Sequence, residues 1–318
     1  MPMRKGRTAV LTASLVLVPG LVAGCAGSGG GRPASGSSTA ASATPTATPS
    51  AAAGSQDGVT RALARIERRF GAKLGVYVLD TGTGRTVTYR AGERFAYCST
   101  YKALATGVLL ERDTDAQLNH VITYRASDLV EWSPVTSQHV RTGMTLRAIM
   151  AAALQHSDNT AANLLLEQIG GPARLQAALR RLGDATTDSD RNEPSLNEAT
   201  PGDIRDTSTP GALGADLRRF VLGNVLTASR RRLLTNWLLG NTTGGPYIRA
   251  GVPSGWKVGD KTGNGDYGTR NDIAIAWPPS GAPFVIAILS NRGPANANAT
   301  SDDALIADAT RTAVAALR

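Results

Sequence analysis

The chain has 318 residues, 42% of them hydrophobic, and 34 Lys and Arg against 25 Asp and Glu give it a formal net charge of +9. That length allows one large domain or two smaller ones. The basic groups are scattered, as in Arg68-Arg69, Arg180-Arg181 and Arg230-Arg231-Arg232, and aromatics make up 5%, which argues against a nucleic-acid partner.

The first 24 residues read as a signal peptide. Arg4, Lys5 and Arg7 precede an apolar run, Ala9 to Val22, that Pro19-Gly20 interrupts. The run is too short and broken for a membrane span. It ends in Leu21-Val22-Ala23-Gly24-Cys25, which resembles a bacterial lipobox and implies a lipid on Cys25. The other reading is a plain secretory signal with an incidental cysteine. Removing residues 1–24 takes away three positive charges and leaves an excess of six. Residues 25–57 are Gly, Ser, Ala, Thr and Pro with almost no large apolar group, and such a stretch is expected to act as a flexible tether. With Cys25 lipidated, Cys98 stands alone. An exported chain with one thiol has no internal disulfide, so its core must hold the fold. About 260 remaining residues suffice for that.

Val59 to Phe70 carries Leu63, Ile66 and Phe70 at helical spacing between charged groups, an amphipathic helix. Lys73–Asp80 and Thr86–Arg90 read as strands joined by Thr81-Gly82-Thr83-Gly84. A helical block follows. Its helices are predicted over Lys102–Glu111, Leu146–Leu154 capped by Thr145, Thr160–Ile169 capped by Asn159, Pro172–Leu182, Thr209–Val221 and Ala228–Leu239. Val121 to Val140 is irregular. Strands return at Trp256–Thr262, Asp272–Trp277 and Phe284–Ser290, and Ser301 opens a last helix, Asp302–Leu317. Strands joined by short turns pair antiparallel. The order predicts one five-stranded antiparallel sheet flanked by the N- and C-terminal helices, with an all-helical insertion. In residue numbers, 58–92 and 240–318 form the α/β part and 93–239 the helical part. A cleft between the parts is the expected site.

Four polar clusters carry chemistry. Ser99 and Lys102, three apart, share a helix face near its N-terminus, where free N–H groups point outward. A serine needs a nearby base to become a nucleophile, and its own N–H can stabilise an oxyanion. His156-Ser157-Asp158-Asn159 is a polar turn between apolar helices. Ser157 could relay a proton there, and Asn159 could hold a carbonyl or simply cap the helix. Lys261-Thr262-Gly263 ends a predicted strand. Lys261 and Thr262 could bind a carboxylate, and glycine lets a ligand or another backbone approach closely. Arg270 could face them across the hairpin. Gly183 to Gly202 is a long loop of low apolar content, and such loops are usually functional or disordered. In it Arg191 can pair with a loop carboxylate, while Glu193 and Asn197 could hold one water, with Glu193 as its base.

Ser-x-x-Lys, Ser-Asp-Asn and Lys-Thr-Gly in this order resemble the set of the class A β-lactamases and penicillin-binding proteins. Arg191-Asn192-Glu193-Pro194-Ser195-Leu196-Asn197 resembles the omega loop of the class A serine β-lactamases, which the transpeptidases lack. The resemblance runs from about residue 58 to the C-terminus and takes in Tyr124, Asp128 to Val135 and Ile248-Arg249-Ala250-Gly251. It implies an α/β (α+β) sandwich with an inserted helical domain, and hydrolysis of the β-lactam ring of penicillins and some cephalosporins. Ser99 would attack, with Lys102 or Glu193 as its base. Ser157 would protonate the leaving nitrogen, and Glu193 with Asn197 would activate the hydrolytic water. Ser99 and Asn264 N–H groups would form the oxyanion hole. Asn159 would hold the side-chain amide, and Lys261, Thr262 and Arg270 the carboxylate. Gly263 and Tyr124 complete the substrate-binding set. The Glu193-Pro194 bond is expected to be cis. In the family's carbapenemases the cysteine before the serine pairs with one two residues after Lys-Thr-Gly. Gly265 stands there, so weak or no carbapenem hydrolysis is implied. A monomer without cofactor or metal is expected, held by its lipid at the outer face of the cytoplasmic membrane, with a released soluble extracellular form as a further option. The alternative is a D-alanyl-D-alanine carboxypeptidase or penicillin-sensing domain.

Overall fold

The computed structural model describes residues 51–318, with side chains from Gln56 onward. The signal peptide, Cys25 and most of the tether lie outside the described residues. Helix α1 spans Ala51–Phe70 and therefore begins inside the stretch read as tether. Alanine has the highest helix propensity, and Ala51 to Ala53 extend the amphipathic segment backwards.

Five strands form the main sheet: β1 (Lys73–Asp80), β2 (Thr86–Tyr89), and, after two short strands β3 (Phe95–Ala96) and β4 (Val121–Ile122), a third, β5 (Met144–Thr145), and a fourth, β6 (Thr207–Ser208), come β7 (Lys257–Gly265), β8 (Thr269–Trp277) and β9 (Phe284–Asn291). The main sheet runs β2-β1-β9-β8-β7, antiparallel throughout. The hairpin between β7 and β8 is tighter than predicted. Its ladder continues through Gly263↔Asn271 and Asn264↔Arg270 to Gly265↔Thr269. Lys-Thr-Gly therefore lies inside a strand, not at its end. The short strands pair β3 with β6 and β4 with β5. Runs of two residues carry no readable periodicity, so the sequence left them unmarked.

Both faces of the sheet are buried, and alternation assigns them. On β9, Phe284, Ile286 and Ile288 pack with Leu74, Val76 and Val78 of β1 under α1 and the last helix, α10 (Ala304–Ala315). Val285, Ala287 and Leu289 face the other way, into the core shared with the helical part. That part comprises α2 (Tyr101–Arg112), α3 (Asp115–Asn119), α4 (Leu146–Gln155), α5 (Asn159–Ile169), α6 (Pro172–Arg181), α7 (Pro210–Val221) and α8 (Ala228–Leu239). One further turn, α9 (Ile248–Gly251), leads to β7. Helix α2 is buried along nearly its whole length, so it is the axis around which the other helices pack. Thr145 caps α4 and Thr209 caps α7 as read. Asp158, not Asn159, caps α5.

The long loop is braced to α7 by a buried carboxyl pair. Asp184, at the loop's start, accepts from the N–H groups of Thr186 and Thr187. Asp216, on α7, accepts from Arg219 Nη1 at 2.6 Å. The Oδ2 atom of each is buried with no donor among the described residues. One shared proton resolves this. Burial first, and then Asp184, push the Asp216 carboxyl up to about 8, against the opposing pull of Arg219. Local N–H and hydroxyl donors hold Asp184 low despite its burial. A raised carboxyl contributes stability that is complete below its unfolded value and lost as pH rises through the folded one. Stability should therefore fall from about pH 4 to about pH 8 and level off above that, by at most about 1.4 kcal/mol per pH unit. Asp216→Asn cannot ionise and should flatten that fall. Melting temperatures of both proteins at pH 6 and pH 9 check this, and parallel declines would rule it out.

Candidate active site

Ser99 sits in a 3-10 turn, Cys98–Thr100, that runs straight into α2. Cys98 adopts φ +48°, which swings the serine out at the start of the helix. Strand β7 lies against this turn. A Cβ on Gly263 would come within 2.8 Å of the Tyr97 carbonyl oxygen and 3.2 Å of Cys98 Cβ. Gly263 thus lets β7 pack against the backbone of the serine turn, and it is not among the residues that line the cleft. Gly265 is equally tight, with Cys98 Sγ at 2.8 Å from such an atom. Cys98 is a buried free thiol, and burial pushes it far above the usual thiol range.

Lys102 is fully buried one turn on. Its Nζ lies 2.8 Å from the Ser157 carbonyl oxygen, 2.7 Å from Asn159 Oδ1 and 3.0 Å from Glu193 Oε1. Burial pushes the amine down, and the Glu193 charge opposes that. The contacts decide between them. Three acceptors engage all three N–H bonds of an ammonium, so Lys102 is charged and has no lone pair to offer in this state. Ser99 Oγ donates instead to Glu193 Oε1 at 3.2 Å.

Glu193 comes from the long loop, and several bonds fix it. Asn163 of α5 accepts from its N–H at 2.8 Å and donates to its carbonyl at 2.9 Å. Asn197 Nδ2 donates to Oε2. The Glu193-Pro194 bond is cis. Arg191 holds the loop's shape through Asp206 and Glu198, and Asp206 also accepts from the Arg191 and Asp190 N–H groups.

Ser157 stands in the α4–α5 turn at φ +55°. Its Oγ accepts from Lys261 Nζ at 2.9 Å and lies 3.5 Å from Lys102 Nζ. Lys261 is fully buried, pushed down to about 7 by burial and then by the charge of Lys102. Such an amine gains or loses its proton easily near neutrality. Asp158 beside it accepts from Val135 N, Thr136 N, Thr136 Oγ1 and Ala161 N. That leaves Asn159 free to turn its Oδ1 to Lys102 and its Nδ2 to the Glu131 carbonyl at 2.9 Å.

These groups converge on one cleft of about 600 Å³. Ser99, Ser157, Asn159, Asn197, Thr262 and Asn264 all line it. Two predicted contacts are elsewhere. Tyr124 is buried, and its hydroxyl donates to the Thr136 carbonyl at 2.8 Å. It braces the loop that Asp158 holds. Arg270, opposite Asn264 on β8, is paired with Asp303, with Nε 2.9 Å from Oδ1, and is not among the residues that line the cleft. Sequence reasoning missed Trp132, which is 62% exposed at the cleft wall, and Thr243, whose hydroxyl lies 2.6 Å from that of Thr262. It also missed Asn163. The one available signal was spacing, since Asn163 follows Asn159 by one helical turn. Among the described residues no group of three or more His, Cys, Asp or Glu is gathered to hold a metal ion.

The sequence profile of the β-lactamase enzyme family matches residues 58–317. A β-lactamase of Amycolatopsis lactamdurans is 54% identical over 259 residues, 81% of this chain and 85% of that one. The crystal structure of a halotolerant bacterial β-lactamase aligns with a TM-score of 0.79 at 54% identity, covering 80% of this chain and 98% of that one. The class A β-lactamase of Clostridium kluyveri aligns with a TM-score of 0.80 at 48% identity, covering 82% and 99%. The chain belongs to the β-lactamase enzyme family and is a class A serine enzyme within it.

Proposed function

We propose that this β-lactam hydrolase, whose activity confers resistance to the drugs, works through an acyl-enzyme on Ser99 with Glu193 as the general base. The observation that carries the reading is one carboxylate oxygen, Glu193 Oε1, within reach of both Ser99 Oγ (3.2 Å) and Lys102 Nζ (3.0 Å). Ser99 Oγ attacks the lactam carbonyl carbon, and its proton passes to Glu193. The Lys102 ammonium stabilises the alkoxide as it forms. The Ser99 and Asn264 N–H groups receive the oxyanion. The C–N bond then breaks, and the nitrogen takes a proton from Ser157 Oγ. Lys102, 3.5 Å from that hydroxyl, resupplies it and takes up the proton held on Glu193, 3.0 Å away, so the carboxylate is ionised again. Glu193 and Asn197 next orient a water. The carboxylate takes its proton as the oxygen attacks the ester, and returns it to Ser99 Oγ as the ester C–O bond breaks and Ser99 is released. Asn159 holds the substrate's side-chain amide, and Thr262 with Lys261 its carboxylate.

The preferred substrates are penicillins and some cephalosporins. The lone thiol of Cys98, facing Gly265, goes with weak or absent carbapenem hydrolysis. The enzyme acts as a monomer after export, tethered through a lipid on Cys25 and residues 26 onward.

Mixing purified enzyme with excess benzylpenicillin tests the reading. Repeated turnover, with hundreds of equivalents consumed, is the expected result. A burst of one equivalent followed by a long-lived adduct would instead mark a penicillin-binding peptidase or sensor.

A further inference from the structure

Asn264 has a neighbour that none of the sequence motifs includes. Tyr247, the residue before α9, is 4% exposed, and its hydroxyl donates to Asn264 Oδ1 at 3.0 Å. Residues two apart on a strand share a face, so Asn264 and Thr262 both look into the cleft. Directly opposite Asn264 on β8 is Arg270, and cross-strand pairs share a face as well. Asn264 is itself exposed in the cleft.

A carboxamide has two unlike ends, an acceptor oxygen and a donor NH2. Which end meets a ligand depends on what holds the other. Here the oxygen is occupied by the Tyr247 hydroxyl. The phenol is buried, and burial keeps it neutral and able to donate well beyond neutral pH. The Nδ2 atom makes no hydrogen bond within the described residues. Toward an anionic group at Thr262, the NH2 end attracts and the oxygen end repels.

We propose that Tyr247 is a positioning residue for substrate binding. Its hydroxyl fixes the Asn264 carboxamide so that the NH2 end faces the cleft as an extra neutral donor to the substrate carboxylate beside Thr262. The inference rests on the carboxylate-binding role given to Thr262 above. It adds a residue whose effect passes through another side chain.

Tyr247→Phe removes the hydroxyl and keeps the buried ring. It should lower kcat/KM for benzylpenicillin about 3- to 10-fold, the range of one neutral hydrogen bond. The change should lie in KM, with kcat within about twofold of wild type, and the melting temperature should stay near its original value. Asn264→Ala should lose a similar factor, and the double variant should lose no more than either alone. A wild-type kcat/KM in Tyr247→Phe would overturn the proposal. So would multiplying losses in the double variant, or a loss confined to kcat. Ser99→Ala, run in the same assay, reads the underlying site separately. If turnover depends on Ser99 while Tyr247→Phe has no effect, the positioning role alone fails.

Discussion

Glu193→Ala mixed with benzylpenicillin should gain the mass of one penicillin and keep it. In the first step removal of the Glu193 charge leaves burial to push the Lys102 amine down unopposed by that carboxylate, so Lys102 can take the Ser99 proton in its place and acylation slows but proceeds. The second step loses its base, and removal of a general base costs about 100- to 10,000-fold. The acyl-enzyme then outlives the assay. The variant should still fold, because Lys102 keeps the Ser157 carbonyl and Asn159 Oδ1 as acceptors. Intact mass spectrometry at intervals after mixing checks the result. Rapid loss of the adduct, at the wild-type rate, would remove Glu193 from deacylation.

The second large effect concerns stability. Asp158 is fully buried and receives four donors from two segments of chain. It caps α5 and ties that cap to Val135 and Thr136. Asp158→Ala leaves three backbone N–H groups buried without an acceptor, and each orphan costs about 1–3 kcal/mol. With partial relaxation the loss should be about 3–5 kcal/mol, or on the order of 10 °C in melting temperature for a domain of this size. Activity should fall with it, since Ser157 and Asn159 flank the missing carboxylate. Thermal melts check the size of the effect, and a shift under about 2 °C would mean that the turn holds without its cap.

The sheet was legible because its strands alternate apolar residues and turn at glycines and prolines. The three short motifs were legible because catalysis needs those residue types close together in the chain. Less legible was what joins distant segments. Nothing in the spacing of Asp158 and Asn159 says which one caps α5, and the answer depends on Val135 and Thr136, more than twenty residues earlier. Asn163 and Glu193 meet across 30 residues of sequence, as do Arg270 and Asp303 across 33. The Arg270–Asp303 bond ties the arginine to the start of α10. Tyr124 was assigned to the substrate by resemblance, yet its partner is the Thr136 carbonyl. Gly263 allows a close approach, as inferred, and the sequence left open whether a ligand or another backbone makes it. The intruder is the backbone of the serine turn, not a ligand.

The central claim is that a single hydroxyl, Ser99 Oγ, forms the covalent intermediate that Glu193 later clears. Proteolysis of the trapped Glu193→Ala adduct, followed by sequencing of the modified peptide by mass spectrometry, tests it directly. The predicted result is one penicilloyl group on Ser99, absent when Ser99→Ala is added to the same protein. An adduct on another residue, such as Ser157, or one that persists in the Ser99→Ala background, would contradict it.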